Sequence, residues 1–192
     1  MIKNNITIPN VLTLIRIILV PFIVTSMVLN YWIIAGILFS VAMITDVLDG
    51  AIARIRGEQT FLGACLDPIA DKILTISCYT TLAFVEIPVF KVPLSFVYFV
   101  LIKEILLVLG AFYLGLVGHV IDIKPTFVGK AAAVIQTCFI AWLISCMIFH
   151  WVPIKTYYFV FYVVLASIGV SFLHYAFIGY KGLLSWLIKD YH

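Results

Sequence analysis

The chain has 192 residues, of which 65% are hydrophobic and only 11% are charged. Soluble globular domains carry about 25% charged residues, so the composition excludes that class, and the length suits a single domain over residues 1–192. The 12 Lys and Arg exceed the 9 Asp and Glu too little to indicate nucleic-acid binding.

A helix that crosses a bilayer needs about 20 mostly apolar residues. Six segments meet this requirement: residues 10–29, 31–54, 66–86, 92–117, 128–149 and 156–179. The short junction at residues 28–32 predicts a tight turn between antiparallel spans, and Pro88, Pro93 and Pro153 mark two later junctions. We therefore predict an all-α integral membrane protein with six transmembrane helices.

Six spans place both termini on one side of the membrane. Seven basic residues fall on that side: Lys3, Arg54, Arg56, Lys124, Lys130, Lys181 and Lys189. The opposite side has only Lys91 and Lys155. By the positive-inside rule both termini are cytoplasmic, and we expect a bacterial inner membrane protein.

Four aspartates lie within residues 46–71, on the predicted cytoplasmic side. Asp46 and Asp49 are spaced i, i+3 at the end of the second span, and Asp67 and Asp71 are spaced i, i+4 at the start of the third. Each pair lies on one helix face, and the short linker makes the two helices neighbours, so all four carboxylates can converge. Such carboxylates repel unless divalent cations bind, and oxygen ligands suit Mg²⁺, Mn²⁺ or Ca²⁺ better than Zn²⁺.

The residues between the aspartates indicate the ligand. Gly50, Ala53 and Gly63 are small enough for a ligand or a facing helix to approach the backbone. Arg54 can contact phosphate through two parallel hydrogen bonds. Two metal ions about 3.5–4 Å apart can hold a phosphorus centre and stabilise its leaving oxygen. Together these features indicate a site for a pyrophosphate-linked substrate.

The spacing D-x2-D-G-x2-A-R-x8-G-x3-D-x3-D resembles the signature of the CDP-alcohol phosphatidyltransferase family. The segments I-P-N-V-L-T-L-I-R-I-I-L-V-P (8–21) and L-D-P-I-A-D-K (66–72) resemble the family's first helix and the start of its third, and the six-span plan matches. The resemblance implies a phospholipid-synthesising enzyme in which an alcohol displaces CMP from CDP-diacylglycerol. It also implies a homodimer.

Carried over by position, the resemblance assigns a role to each signature residue. The ligands of two Mg²⁺ or Mn²⁺ ions would be Asp46, Asp49, Asp67 and Asp71. Asp71 would also accept the proton of the acceptor hydroxyl. The nucleotide pocket would be formed by Gly50, Ala53, Gly63 and Arg54.

Three lysines are candidates for binding the acceptor: Lys103, Lys124 and Lys130. Lys103 could equally form a structural pair with a buried acid, and Lys124 could simply be a cytoplasmic positive-inside residue. Arg16, inside the first span, raises a similar choice: it is either functional or neutralises a neighbouring acid.

Two acceptors compete. Phosphatidylglycerolphosphate synthases, which use glycerol 3-phosphate, carry Arg-Glu in the fourth span and a G-K-x-K-T-x-x-Q run in the fifth; here the pair is Lys103-Glu104, and alanines replace the second lysine and the threonine of residues 129–136. Eukaryotic-type cardiolipin synthases, which use phosphatidylglycerol, carry K-P-T-F-x-x-K, which residues 124–130 reproduce. We place glycerol 3-phosphate first as the commoner acceptor for such chains, with phosphatidylglycerol as the alternative.

Two more distant functions share part of the pattern. Membrane prenyltransferases also bind pyrophosphate through aspartates, but without the intervening Gly50, Ala53, Arg54 and Gly63. Cation transporters use paired acids, but near the membrane midplane and beside unwound helices. The clustering of the aspartates at one membrane face disfavours a transporter.

Overall fold

The computed structural model describes the backbone of residues 8–56, 61–85, 92–116 and 127–189, and the side chains of residues 10–48, 69–85, 92–107 and 127–179. The regular secondary structure in these ranges is entirely helical. The helices are α1 (Ile8–Val28), α2 (Trp32–Arg56), α3 (Phe61–Phe84), α4 (Leu94–Leu116), α5 (Phe127–Ile148) and α6 (Ile154–Lys189). The predicted all-α class is confirmed.

The helices follow the predicted spans except at two ends. α3 begins at Phe61, five residues before the predicted start, and α6 continues to Lys189, ten residues past the predicted end. Hydropathy marks only the part of a helix that suits the bilayer core, whereas backbone hydrogen bonding can continue beyond that part. The early start of α3 places Gly63 on a helix as well.

Two helices end at a residue with left-handed backbone conformation. Asn30 (φ 60°) follows α1, where the Tyr31 amide donates to the Ser26 carbonyl and the Asn30 amide to the Met27 carbonyl. His150 (φ 51°) follows α5, where the Trp151 amide donates to the Cys146 carbonyl. These hydrogen bonds satisfy carbonyls that the helix end leaves open. They also produce the tight turn predicted at residues 28–32.

The chain divides into two compact units. The first comprises residues 1–94 and 140–153, and the second residues 95–139 and 154–192. In the first unit α1 packs against both α2 and α3. Its core is formed by buried apolar side chains, among them Ile23, Met27, Ala35, Phe39, Leu74 and Leu82.

The second unit has an aromatic cluster. The Phe161 ring lies 5.1 Å from that of Phe96 and 5.9 Å from that of Tyr157, between centroids, and Phe139 lies 6.3 Å from Tyr157. Aromatic pairs at such distances contribute about 0.5–1.5 kcal/mol beyond their buried area. The cluster joins α4, α5 and α6.

Within the residues whose side chains are described, three helical segments are long and apolar enough to cross a membrane: Asn10–Val28, Phe127–Ile148 and Ile154–Gly179. Trp32–Leu48, the part of α2 whose side chains are described, is a shorter apolar segment. Leu14, Ile18 and Phe22 form a stripe on α1 whose residues are 53–59% exposed. Exposed apolar stripes on long helices are typical of a lipid-facing surface, so the chain is a membrane protein.

Candidate active site

The signature residues lie on two helices of the first unit. α2 carries Asp46, Asp49, Gly50, Ala53 and Arg54, and α3 carries Gly63, Asp67 and Asp71. Side chains are described for Asp46 and Asp71. Those of the other six lie outside the described residues, as does the whole of Lys124.

Asp46 forms an ion pair with Arg16 of α1. Nη1 of Arg16 lies 2.8 Å from Oδ1 of Asp46. The Arg16 side chain is 0% exposed, whereas that of Asp46 is 39% exposed. An unpaired guanidinium inside a protein would carry a large desolvation penalty, so a carboxylate partner is what allows the arginine to be buried. The neighbouring acid that sequence analysis allowed for Arg16 is therefore one of the four signature aspartates.

Arg16 belongs to a polar stripe on α1. Asn10, Thr13 and Arg16 recur every three residues, and Thr13 is fully buried. Both Asn10 and Thr13 interact with other groups of the protein. Of these three residues, only Arg16 was a candidate from the sequence. The missed signal was the i, i+3, i+6 spacing of polar residues on an otherwise apolar helix, which places them on one face.

Asp71 is half-buried on α3, one residue before the half-buried Lys72, and both have interaction partners in the protein. Among the described side chains, no three His, Cys, Asp or Glu residues lie close enough together to hold a metal ion. That set contains only two of the four signature aspartates. Both offer oxygen ligands, and the exposed part of Asp46 remains accessible beside its ion pair. The donor chemistry therefore fits Mg²⁺ or Mn²⁺.

The candidate acceptor residues that the structure describes lie in the second unit. Nζ of Lys103 is 2.6 Å from Oε1 of Glu104, and both side chains are largely buried. This is the structural pair that sequence analysis considered for Lys103. Lys130 is exposed near the start of α5. On the same helix Ala132 and Gln136 are buried, one turn apart.

Gly129, which precedes Lys130, lies directly under Tyr175 of α6. A Cβ built on Gly129 would overlap the Tyr175 hydroxyl and would come within 2.9 Å of two ring carbons. Only a residue without a side chain lets the tyrosine approach α5 this closely. Gly129 thus sets the packing of α6 beside the residues of the fifth-span run.

Comparisons with known proteins show which family the chain resembles. The sequence profile of the CDP-alcohol phosphatidyltransferase family matches residues 6–173. Human cardiolipin synthase (CMP-forming) is 30% identical over 165 residues, covering 78% of this chain and 54% of the human protein.

Bacterial relatives match over a shorter stretch. The CDP-diacylglycerol–glycerol-3-phosphate 3-phosphatidyltransferases of Salmonella choleraesuis (strain SC-B67) and Escherichia coli (strain K12) are 46% and 47% identical over 70 residues, covering 35% of this chain and 38% of theirs. The chain thus spans about half the length of the human relative it matches, and the bacterial matches cover still less. Because the family profile extends over most of its length, the chain belongs to the CDP-alcohol phosphatidyltransferase family.

Proposed function

We propose that this protein is a phospholipid-synthesising enzyme that transfers the phosphatidyl group of CDP-diacylglycerol to the hydroxyl of a glycerol-type acceptor and releases CMP. The observation that carries the proposal is the eight-residue signature on α2 and α3, whose first aspartate is held by a buried arginine. Family membership supports it, and so do relatives named for this type of transfer.

Asp46, Asp49, Asp67 and Asp71 would hold two Mg²⁺ or Mn²⁺ ions. When bound, such ions neutralise the charge of the pyrophosphate and of the departing CMP. Arg54 adds a guanidinium for a phosphate, and Gly50, Ala53 and Gly63 leave room for the nucleotide beside the backbone. These residues position the substrate and stabilise charge, which are the main requirements of phosphoryl-group transfer.

Asp71 is the proposed base. It accepts the proton of the acceptor hydroxyl while that oxygen bonds to the phosphorus of the phosphatidyl group. The bond from this phosphorus to the oxygen of CMP breaks, and CMP leaves with the electron pair. A carboxylate that both touches the ions and faces the hydroxyl can perform this transfer without a separate histidine.

Glycerol 3-phosphate is the first candidate acceptor. The supporting observation is the higher local identity, 46%, to the Salmonella glycerol-3-phosphate enzyme. Glycerol 3-phosphate carries a phosphate monoester, so its binding calls for several cations. Lys124 and Lys130 are the proposed contacts, and Lys103 would join them only by leaving its pair with Glu104.

Phosphatidylglycerol is the second candidate, and two observations favour it. Ala132, at the position of the second lysine in the glycerol-3-phosphate run, is buried, so that face of α5 lacks a cation that a phosphate monoester would use. The match to human cardiolipin synthase covers 78% of this chain, which is about 150 of its 192 residues. A continuous stretch of that length within the chain always contains both the aspartate signature (residues 46–71) and residues 124–136. The 70-residue bacterial matches are too short to include both.

The proposal includes the membrane arrangement expected from the sequence. All six helices would cross the membrane, with both termini and the aspartates on the cytoplasmic side of a bacterial inner membrane. This arrangement suits the chemistry, because CMP leaves into water while the lipid product stays in the bilayer. A homodimer is also proposed, on the resemblance alone.

The function is tested with purified full-length protein, CDP-diacylglycerol and Mg²⁺ or Mn²⁺, with either glycerol 3-phosphate or phosphatidylglycerol added. CMP release and the mass of the lipid product are measured. Phosphatidylglycerophosphate identifies the first acceptor and cardiolipin the second. Release of pyrophosphate from a prenyl diphosphate would instead identify a prenyltransferase, and ion flux without CMP release would identify a transporter.

A further inference from the structure

The Arg16–Asp46 pair is asymmetric in its burial. The guanidinium is fully buried, whereas the carboxylate is 39% exposed. Water can therefore hydrate the exposed part of the Asp46 carboxylate, but it does not reach the Arg16 guanidinium. The ion-pair contact is made by Oδ1 of Asp46.

Arg16 pairs with a partly exposed carboxylate that belongs to the signature, and it does so from a different helix. A guanidinium is planar and its hydrogen-bonding directions are fixed, so it constrains the plane of a carboxylate more strongly than an ammonium does. Arg16 thus couples the orientation of Asp46 to the packing of α1 against α2.

In the proposed metal site the four aspartates would repel one another, and this repulsion calls for such a constraint. Like charges packed closely favour any rotation that separates them. Asp46 has a free direction for such a rotation, because its side chain is partly exposed. A cation fixed behind one oxygen opposes that rotation and offsets one of the four charges.

We propose that Arg16 is a positioning residue, which holds the Asp46 carboxylate in the orientation needed to bind a divalent cation. The inference rests on the proposed function, since it takes Asp46 to be a metal ligand. Arg16 acts through Asp46 and does not contact the substrate. Partners that orient metal ligands typically change metal affinity by about 10–100-fold when they are removed.

Removing Arg16 could also change the metal affinity in the opposite direction, for a different physical reason. A guanidinium near a bound cation repels it, so an arginine that acted only as a competing charge would weaken metal binding, and its removal would strengthen it. The direction of the change in affinity therefore distinguishes positioning from competition.

The experiment compares wild-type protein with Arg16→Met, Arg16→Lys and Lys155→Met, each full length and in the same detergent. Lys155→Met is the matched control, because it removes one positive charge at an exposed position on α6. Mn²⁺ binding is measured by electron paramagnetic resonance of the free ion without substrate. Thermal unfolding in EDTA and the Mn²⁺ dependence of CMP release are measured in parallel.

We expect Arg16→Met to bind Mn²⁺ at least roughly tenfold more weakly, and Lys155→Met to bind like wild type. Arg16→Lys keeps the charge without the planar fork, and we expect it to fold and to lose Mn²⁺ affinity in the same direction. If Arg16→Met does not fold, Arg16→Lys decides the question.

A smaller loss, unchanged affinity or tighter binding in the folded variant overturns the proposal. A wild-type protein that releases CMP and binds Mn²⁺, beside an Arg16→Met variant that binds it equally well, refutes the role of Arg16 alone. A wild-type protein that does neither refutes the proposed function together with it.

Discussion

At the scale of single residues, Asp46 has a structural role that the other signature aspartates are not shown to share. It is the ion-pair partner of a guanidinium with no exposed surface. Removing one partner of a buried pair costs about 3–5 kcal/mol, because the remaining charge is left uncompensated. Loss of activity in an Asp46 variant therefore has two sources, an altered metal site and a weakened fold.

We expect Asp46→Ala to lower the free energy of unfolding of the metal-free protein by about 3 kcal/mol, because the buried Arg16 loses the Asp46 carboxylate. Arg16→Met should cost less, because Asp46 is partly exposed and can be hydrated. Denaturant unfolding in EDTA measures both, and the double variant completes the cycle. Strictly additive losses would mean that the pair has no coupling energy.

Asp71 carries the proposed proton transfer. We expect Asp71→Asn to retain CDP-diacylglycerol binding and to lose about 10²–10⁴-fold in turnover, since an amide cannot accept the hydroxyl proton. Equilibrium binding of the CDP-lipid and the rate of CMP release are measured on the same preparation. Near-normal turnover would remove Asp71 from the role of base.

At the scale of helices, close approach of backbones depends on individual glycines. Gly36 of α2 lies close to Ile148 of α5: a Cβ added to Gly36 would be 2.8 Å from Cδ1 of Ile148. This neighbour is the end of a flexible side chain and can move. At Gly129 the neighbour is the rigid ring of Tyr175, which has few other rotamers. The two glycines therefore differ in how much a methyl group would cost.

We expect Gly129→Ala to destabilise the protein by about 1–3 kcal/mol, because the methyl group overlaps Tyr175. Gly169→Ala on α6 is the matched control: an added Cβ there meets no atom within 4 Å, and alanine favours helix by up to about 1 kcal/mol. Unfolding in detergent measures both variants. Equal effects would contradict the packing of Tyr175 on Gly129.

At the scale of the whole molecule, the apolar surface and the basic residues carry the membrane assignment. Large hydrophobic side chains are exposed on α1, α2 and α6, including Leu14, Ile37 and Phe159. Soluble monomers rarely expose so much apolar surface, whereas lipid-facing helices do. The apolar surface indicates that lipid surrounds these helices. The distribution of basic residues predicts which ends of the helices face the cytoplasm.

The predicted orientation is tested by cysteine labelling in intact cells. After replacement of the native cysteines, we expect Lys155→Cys to react with a membrane-impermeant maleimide, because Lys155 lies on the predicted outer side. Lys189→Cys should react only after permeabilisation. The reverse pattern would invert the topology and place the aspartates outside the cell.

Much of this protein follows from its sequence, because the responsible signals are local. Long apolar stretches predict helices, and apart from the start of α3 and the end of α6 the described helices begin and end near the predicted positions. The spacing from Asp46 to Asp71 identifies the family, and the sequence profile confirms it. Asn10 and Thr13, which the sequence analysis did not predict, lie with Arg16 at a three-residue spacing on α1.

What only the tertiary structure decided are the contacts between residues far apart in the chain. Sequence left the partner of Arg16 open, and the packing of α1 on α2 assigns it to Asp46, thirty positions away. The same holds for Gly129 and Tyr175. Composition and periodicity show whether each face of a segment is exposed to water, exposed to lipid or buried. The pairing of one side chain with another depends on how helices are rotated and set against each other, which no local pattern encodes.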